Sequence, residues 1–234
     1  MAAVEAGERP NQKRRTRKDL LQAAERLMQQ GRRPSLEEVA EEALVSRATA
    51  YRYFPSRSVL ITAVVDTSLA PVRSWKSSKA DGHARVKEMF TKTFPSFKEF
   101  EPQLRAAVQL SLEQWALERA GLLEEEPYRR GHRVSILSHA VQPFEGLLKP
   151  RALDRLKMAL SVIYGIEPHM VLKDIWGAND REVEAIALWM ADALVTAALN
   201  ESGHAAGVPA TGRVQDSSYG KTSSSGGRQP ARRR

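Results

Sequence analysis

The chain is 234 residues long, with a formal net charge of +8, a pI near 9.9, 42% apolar and 27% charged residues and no cysteine. This length suits one ordinary domain or two small ones sharing a core, and the composition excludes a wholly disordered or membrane-like chain. Zero cysteine excludes a disulfide scaffold, a thiolate zinc site and a Cys nucleophile, and no apolar run reaches the roughly 18 residues of a spanning helix.

The first stretch, Met1 to Arg9, has acids at Glu5 and Glu8 and no apolar core, so it does not read as a secretory signal, and a cytoplasmic protein is expected. The charge is concentrated at the ends. Residues 1–60 carry 12 bases and 8 acids, residues 61–200 carry 18 of each, and residues 201–234 carry six and two. Within the first block the excess belongs to residues 1–18, which form a basic arm expected over residues 1–15 as a flexible segment. Such an arm is either a solubilising tail or an attractant for a polyanion, nucleic acid above all, through counterion release.

Helical periodicity starts at Thr16. Leu20, Ala23, Ala24 and Leu27 recur at three- and four-residue spacing, and Gly31 stops the helix. Ser35 with Glu38 forms a capping box for a short helix whose inner face is Leu36, Val39, Ala40 and Ala43. Ser46 caps a third helix running to Phe54. Pro55 and Ser56 stop it and start a fourth, with Val59, Leu60, Ala63 and Val64. Three short helices within about 40 residues are helix-turn-helix architecture. On the third helix, Val45, Ala50 and Phe54 should pack on Leu20, Leu36 and Val39, leaving Arg47, Ala48, Tyr51 and Arg52 on the other side. The N-terminal end of such a helix enters the major groove, where Arg47 can pair with guanine and Ala48 can meet a thymine methyl. Ser35, at a helix N-terminus, suits a phosphate, and Arg14, Arg15 and Arg17 of the arm can reach an adjacent groove or backbone.

Residues 35–60, SLEEVAEEALVSRATAYRYFPSRSVL, resemble the DNA-binding segment of the TetR/AcrR family of bacterial transcriptional regulators. The shared features are the Ser or Thr cap, E-x-V-A, V-S, then T-x-Y-x-Y-F followed by P-S-R and leucine. The resemblance covers about residues 16–62, and T-x-Y-x-[YH]-F at this offset from the cap is specific among helix-turn-helix pairs. It implies that Thr49, Tyr53 and Arg57 hold phosphates and that Tyr51 touches backbone or base. It also implies a second, helical domain for ligand binding and dimerisation. One position departs from the family: Leu44 stands where a glycine usually takes the left-handed turn, at a strain of about 1 kcal/mol.

Beyond Leu69, residues 77–82 read as a polar loop. Helices are expected from His83 to Phe94, from Pro102 to Leu122, from Pro127 to Leu148, from Pro150 to Trp176 with a bend near Gly165 and Pro168, and from Asp180 to Asn200. No period-two alternation occurs, so the fold expected is all-α. It has an N-terminal three-helix helix-turn-helix domain over residues 16–62 and a C-terminal helical ligand-binding and dimerisation domain over residues 63–200. Residues 201–234, with six Gly, six Ser and two Pro, read as a disordered basic tail.

Residues 183–199 are apolar except Glu184, Asp192 and Thr196, and a helix apolar nearly all round buries two faces. Leu188, Trp189, Val195 and Leu199 exceed what one core hides. A homodimer interface is therefore expected over Ile186, Trp189, Met190, Ala193, Leu194 and Ala197, a central buried helix in a monomer being the other reading. For a small-molecule effector the candidates are Ser111, Trp115, His139, Tyr164 and Glu167. Each has a plainer reading: Trp115 and His139 as core, Glu167 as a cap or the partner of an arginine. His132 and Arg133 read as solvated residues at a helix start. No catalytic residue, metal site or cofactor is expected, because no H-E-x-x-H, G-x-S-x-G, phosphate loop or dinucleotide fingerprint is present. The function expected is a ligand-responsive repressor that binds a palindromic double-stranded operator as a dimer, with no membrane role. The alternatives are a constitutive architectural DNA-binding protein and, with less support, a small-molecule enzyme of helical fold.

Overall fold

The computed structural model describes residues 2–203 apart from 129, 130 and 132, with side chains from residue 11 onward. Among the described residues the chain is helical and has no β-strand. Helix α1 (Ala2–Gln29) leads into α2 (Leu36–Glu42) and α3 (Arg47–Tyr53), and α4 (Arg57–Ser68) with the short α5 (Ala70–Ser74) carries the chain away from them. There follow α6 (Gly82–Thr93), α7 (Pro95–Glu99), α8 (Glu101–Arg119), α9 (Arg133–Val141), α10 (Pro150–Ile163), α11 (Ile166–Trp176) and α12 (Asp180–Glu201). No helix among the described residues is long and apolar enough to cross a membrane.

Serine hydroxyls set the starts of the three helices after α1. Ser35 Oγ accepts from the Glu38 N–H while the Glu38 carboxylate accepts from the Ser35 N–H at 2.8 Å, the reciprocal capping box. Ser46 Oγ accepts from the Thr49 N–H and Ser56 Oγ from the Val59 N–H, at 3.2 and 3.3 Å. Gly31 ends the α1 segment at φ +74°. Leu20, Ala23, Ala24 and Leu27 of α1 are buried with Leu36, Val39, Ala50 and Phe54, and Val45 is half-buried against them. Leu44 does take the left-handed turn, at φ +55°, with its side chain 93% exposed. It therefore carries the strain expected of a leucine there and gains almost no burial in return.

Several boundaries differ from those read from periodicity. α1 starts at Ala2 rather than Thr16, so the expected limit of the flexible arm falls inside a helix. Residues 11–29 contain no Gly or Pro and are rich in long, straight side chains that favour helix, whereas Gly7 and Pro10, both unfavourable inside a helix, mask the earlier start in the sequence. The helix expected from Pro127 to Leu148 is only α9 with a following 3₁₀ turn at Gln142–Phe144. Upstream of α9 the Tyr128 N–H donates at 2.6 Å to the Gln114 side chain on α8, a partner outside any helix. The bent helix from Pro150 is two helices, divided where Tyr164 is extended and Gly165 sits at φ +143°. Pro168 falls in the first turn of α11, where no N–H is required. Of the tail expected over residues 201–234, Glu201 is the last residue of α12 and Ser202 caps it, and residues 204–234 lie outside the described residues.

The second half of the chain is built round an aromatic cluster. Tyr164 meets the edges of Phe90 and Phe97 at 5.3 and 5.1 Å, and the His169 ring stacks on Phe94 at 4.8 Å. α12 packs on α6, α10 and α11, burying Val183, Ala187, Ala191, Val195, Ala198 and Leu199. Val195 and Leu199 are hidden by their own core, whereas Leu188 is half-buried and Trp189 is 69% exposed, so one core does not take all four.

Candidate nucleic-acid interface and buried cavity

Ala50 and Phe54 anchor α3 from below, so its free side is fixed. Arg47, Ala48, Tyr51 and Arg52 are exposed on it, and Thr49 and Tyr53 are half-buried beside them. Thr49 Oγ1 lies 2.9 Å from Ser46 Oγ, and the Arg52 guanidinium lies 5.7 Å from the Tyr53 ring centre. The Tyr51 hydroxyl donates to Glu37 Oε1 at 2.6 Å. That bond holds the Glu37 carboxyl below its usual range and pushes the Tyr51 phenol up. It also braces α3 on α2. Arg14 and Arg15 stand exposed on α1, and the Arg17 guanidinium sits 5.4 Å from the Phe54 ring centre, next to the end of α3.

Two expected phosphate groups are occupied within the chain. The Ser35 hydroxyl and N–H are both used in the α2 cap. Arg57 Nη1 donates to Glu113 Oε2 on α8 at 2.9 Å, and its Nε and Nη2 are buried without a hydrogen-bond partner. The other oxygen of Glu113 accepts from Arg33, in the link between α1 and α2, at 2.8 Å. One carboxylate from α8 therefore holds both the entrance to α2 and the first turn of α4.

Behind α4 lies a cavity. Its walls enclose about 620 Å³, the solvent side included, of which about 70 Å³ admits the centre of a water molecule. Val65, Leu69 and Val72 line it from α4 and α5, Leu104, Ala107 and Val108 from α8, and Tyr164 with Ile166 from the α10–α11 junction. Its polar lining residues are Arg73, Tyr128 and Arg133, with Tyr164, whose hydroxyl shares a 2.5 Å hydrogen bond with Thr93. Burial pushes the Tyr164 phenol well above its usual range. Arg133 is fixed by donating Nη1 to the Ser161 carbonyl at 2.7 Å and Nη2 to both oxygens of Glu167 at 2.9 Å. A Cβ at position 165 would stand 2.8 Å from both the Arg133 and the Glu167 head groups and displace them, and the backbone at φ +143° is one that glycine adopts and L side chains rarely do.

Of the five effector residues read from sequence, Tyr164 alone lines this cavity. Glu167 reaches it only through Arg133. Ser111 is half-buried on α8. Trp115 is 60% exposed beneath the Arg119 guanidinium, because α8 extends past the core. His139 packs edge-on against Trp75 and accepts from the Ser77 N–H at 3.1 Å. Burial and the nearby Lys76 and Arg85 charges hold its pKa down. Arg133, read as solvated, and Tyr128 are the residues missed. Their partners lie tens of positions away, and no local spacing signals them.

Residues 20–64 match the family described as bacterial regulatory proteins, tetR family. No curated relative matches the chain. A solved structure of a candidate TetR-family transcriptional regulator from Mesorhizobium loti MAFF303099 aligns with TM-score 0.47 and 17% identity, covering 81% of this chain and 97% of that one. With residues 20–64 matching the family and the exposed face of α3 left open, the chain carries an N-terminal helix-turn-helix segment of the tetR-family kind, the part of such proteins that binds DNA.

Proposed function

We propose that the protein is a cytoplasmic, ligand-responsive repressor that binds a palindromic operator as a homodimer and is released by a small molecule. The observation that carries this reading is the placement of the cavity. Its wall includes Val65 of α4 and Leu69 at its end, and three residues separate this helix from the recognition helix. An occupant touches the element that sets the tilt of α3, which is what two-state coupling between ligand and DNA requires. The domain division at residues 62 and 63 follows from this reading, with residues 63–200 as the regulatory part.

On DNA, Arg47 reads a guanine, Ala48 approaches a thymine methyl, and Thr49, Tyr51, Arg52 and Tyr53 meet the backbone near it. Arg14, Arg15 and Arg17 supply attraction from α1. Arg57 reaches a phosphate only by exchanging it for Glu113. The dimer is supported by an outward apolar face. Trp189, Ala193 and Ala197 of α12 are exposed, Ile186, Met190 and Leu194 are half-buried, and Met158 and Val162 of α10 stand exposed. A two-fold axis through such a face spaces two recognition helices for successive major grooves.

Selection of bound duplexes from a random pool tests the reading. A two-fold symmetric sequence, bound at least about 10³ times more tightly than random duplex at physiological salt, is the expected result. A ratio near one would leave a constitutive architectural binder instead.

A further inference from the structure

The segment between α8 and α9 is tied at one end to the cavity and at the other to the first turn of α4. Tyr128 lines the cavity, and its backbone N–H donates to Gln114 Oε1 at 2.6 Å. Gln114, buried on α8, passes its amide N–H to Glu125 Oε1 at 2.7 Å. Glu125 Oε2 accepts from the Ser58 hydroxyl at 2.9 Å, and Ser58 Oγ lies 2.9 Å from Ser56 Oγ, the cap of α4. Ser58 is itself buried. Ser58 Oγ also lies 3.4 Å from the Glu126 carbonyl, so the same segment holds Ser58 at two neighbouring residues and displacement of Tyr128 strains this series at Ser58.

We propose that Tyr128, Gln114, Glu125 and Ser58 form a relay that reports occupancy of the cavity to the start of α4 and so to the recognition helix. Gln114 and Glu125 are positioning residues; neither touches DNA nor lines the cavity. The hydrogen bonds holding the Glu125 carboxylate outweigh the burial that opposes its charge, so its carboxyl stays below the usual range and the relay is charged at neutral pH. Because only three residues separate α3 from Arg57, a shift of the α4 cap is passed on with little slack. The relay rests on the cavity being the effector site, and the test separates the two.

The test is a mutant cycle in the full chain, read as affinity for a duplex selected by the unaltered protein. Ala107→Met fills the cavity with a side chain and stands in for an occupant. It is expected to change duplex affinity by about tenfold or more in the otherwise unaltered chain, and by less than about twofold when Glu125→Ala is also present. An equal change in both backgrounds overturns the relay while leaving the cavity's control of DNA binding intact. No change in either background overturns that control and the relay with it. Gln114→Met cuts the series one step earlier and repeats the cycle, so a folding defect peculiar to Glu125→Ala does not decide the result.

Discussion

Two tyrosines summarise how the two regions of this chain differ. Tyr51, on the recognition helix, is 44% exposed and hydrogen-bonds to a carboxylate at the surface. Tyr164, between α10 and α11, is buried among phenylalanines and its hydroxyl bonds to Thr93 within the core. The pattern extends beyond them. The DNA-reading region keeps its apolar residues beneath α3 and sends Arg47, Ala48 and Arg52 outward. The helical region keeps Arg85, Thr93, Gln103, Gln114 and His169 inside. The reading region's chemistry is thus aimed at a partner that arrives from outside, and the helical region's at its own interior.

That contrast is open to attack in order of expected effect. Tyr164→Ala is expected to cost about 3–5 kcal/mol in urea unfolding, as for other large-to-small core changes, whereas Tyr51→Ala stays within about 0.5 kcal/mol and weakens duplex binding instead. Equal stability costs at the two sites would erase the distinction. Trp189→Glu, on the outward face of α12, should halve the mass seen by light scattering, a loss of about 2–4 kcal/mol in association; an unchanged mass refutes that interface. Arg47→Ala should relax preference at one base pair by about 1–3 kcal/mol with no change in melting temperature. Uniform weakening on every duplex would reduce Arg47 to a phosphate contact.

A smaller effect concerns pH. Burial is the main reason the His169 imidazole pKa lies below its ordinary value of 6.5. The fold thus favours the neutral ring, and the unfolded chain binds the extra proton. The stability this contributes is complete above about pH 6.5 and is lost as pH falls through the folded value. His169→Phe should therefore show a shallower fall in Tm between pH 7 and 5 than the parent, with the residual slope owed in part to His139, whose pKa is shifted the same way. An identical slope would deny His169 that role. The smallest change is Leu44→Gly. Relief of about 1–2 kcal/mol of left-handed strain exceeds the roughly 0.4–1 kcal/mol of added freedom in the unfolded chain, so a net gain of about 0.5 kcal/mol is expected by thermal unfolding.

The reading region was largely legible because its signals are local. Ser35 and Glu38 cap a helix three residues away, Ser46 and Ser56 do the same, and the strained turn at Leu44 sits where the resemblance required it. Periodicity also marked the inner faces of α1 and α2. It failed wherever a side chain's partner is remote. Arg133 looked like a solvated helix start, yet its guanidinium spans to Ser161 and Glu167. Arg57 looked free for phosphate, yet Glu113, 56 positions on, holds it. Helical spacing tells which residues share a face and not what lies opposite, so the walls of the cavity could not be read from it.

Glu113 has a mechanical consequence. Its two oxygens are divided between Arg33 and Arg57, which belong to separate segments of the reading region. Neither segment can slide along α8 without giving up its own ion pair, and whichever arginine lets go abandons a carboxylate that the other still needs. Independent motion of either segment therefore costs one of the two pairs. A displacement that carries Arg33 and Arg57 together keeps both ion pairs, so this one carboxylate favours movement of the two segments as a unit.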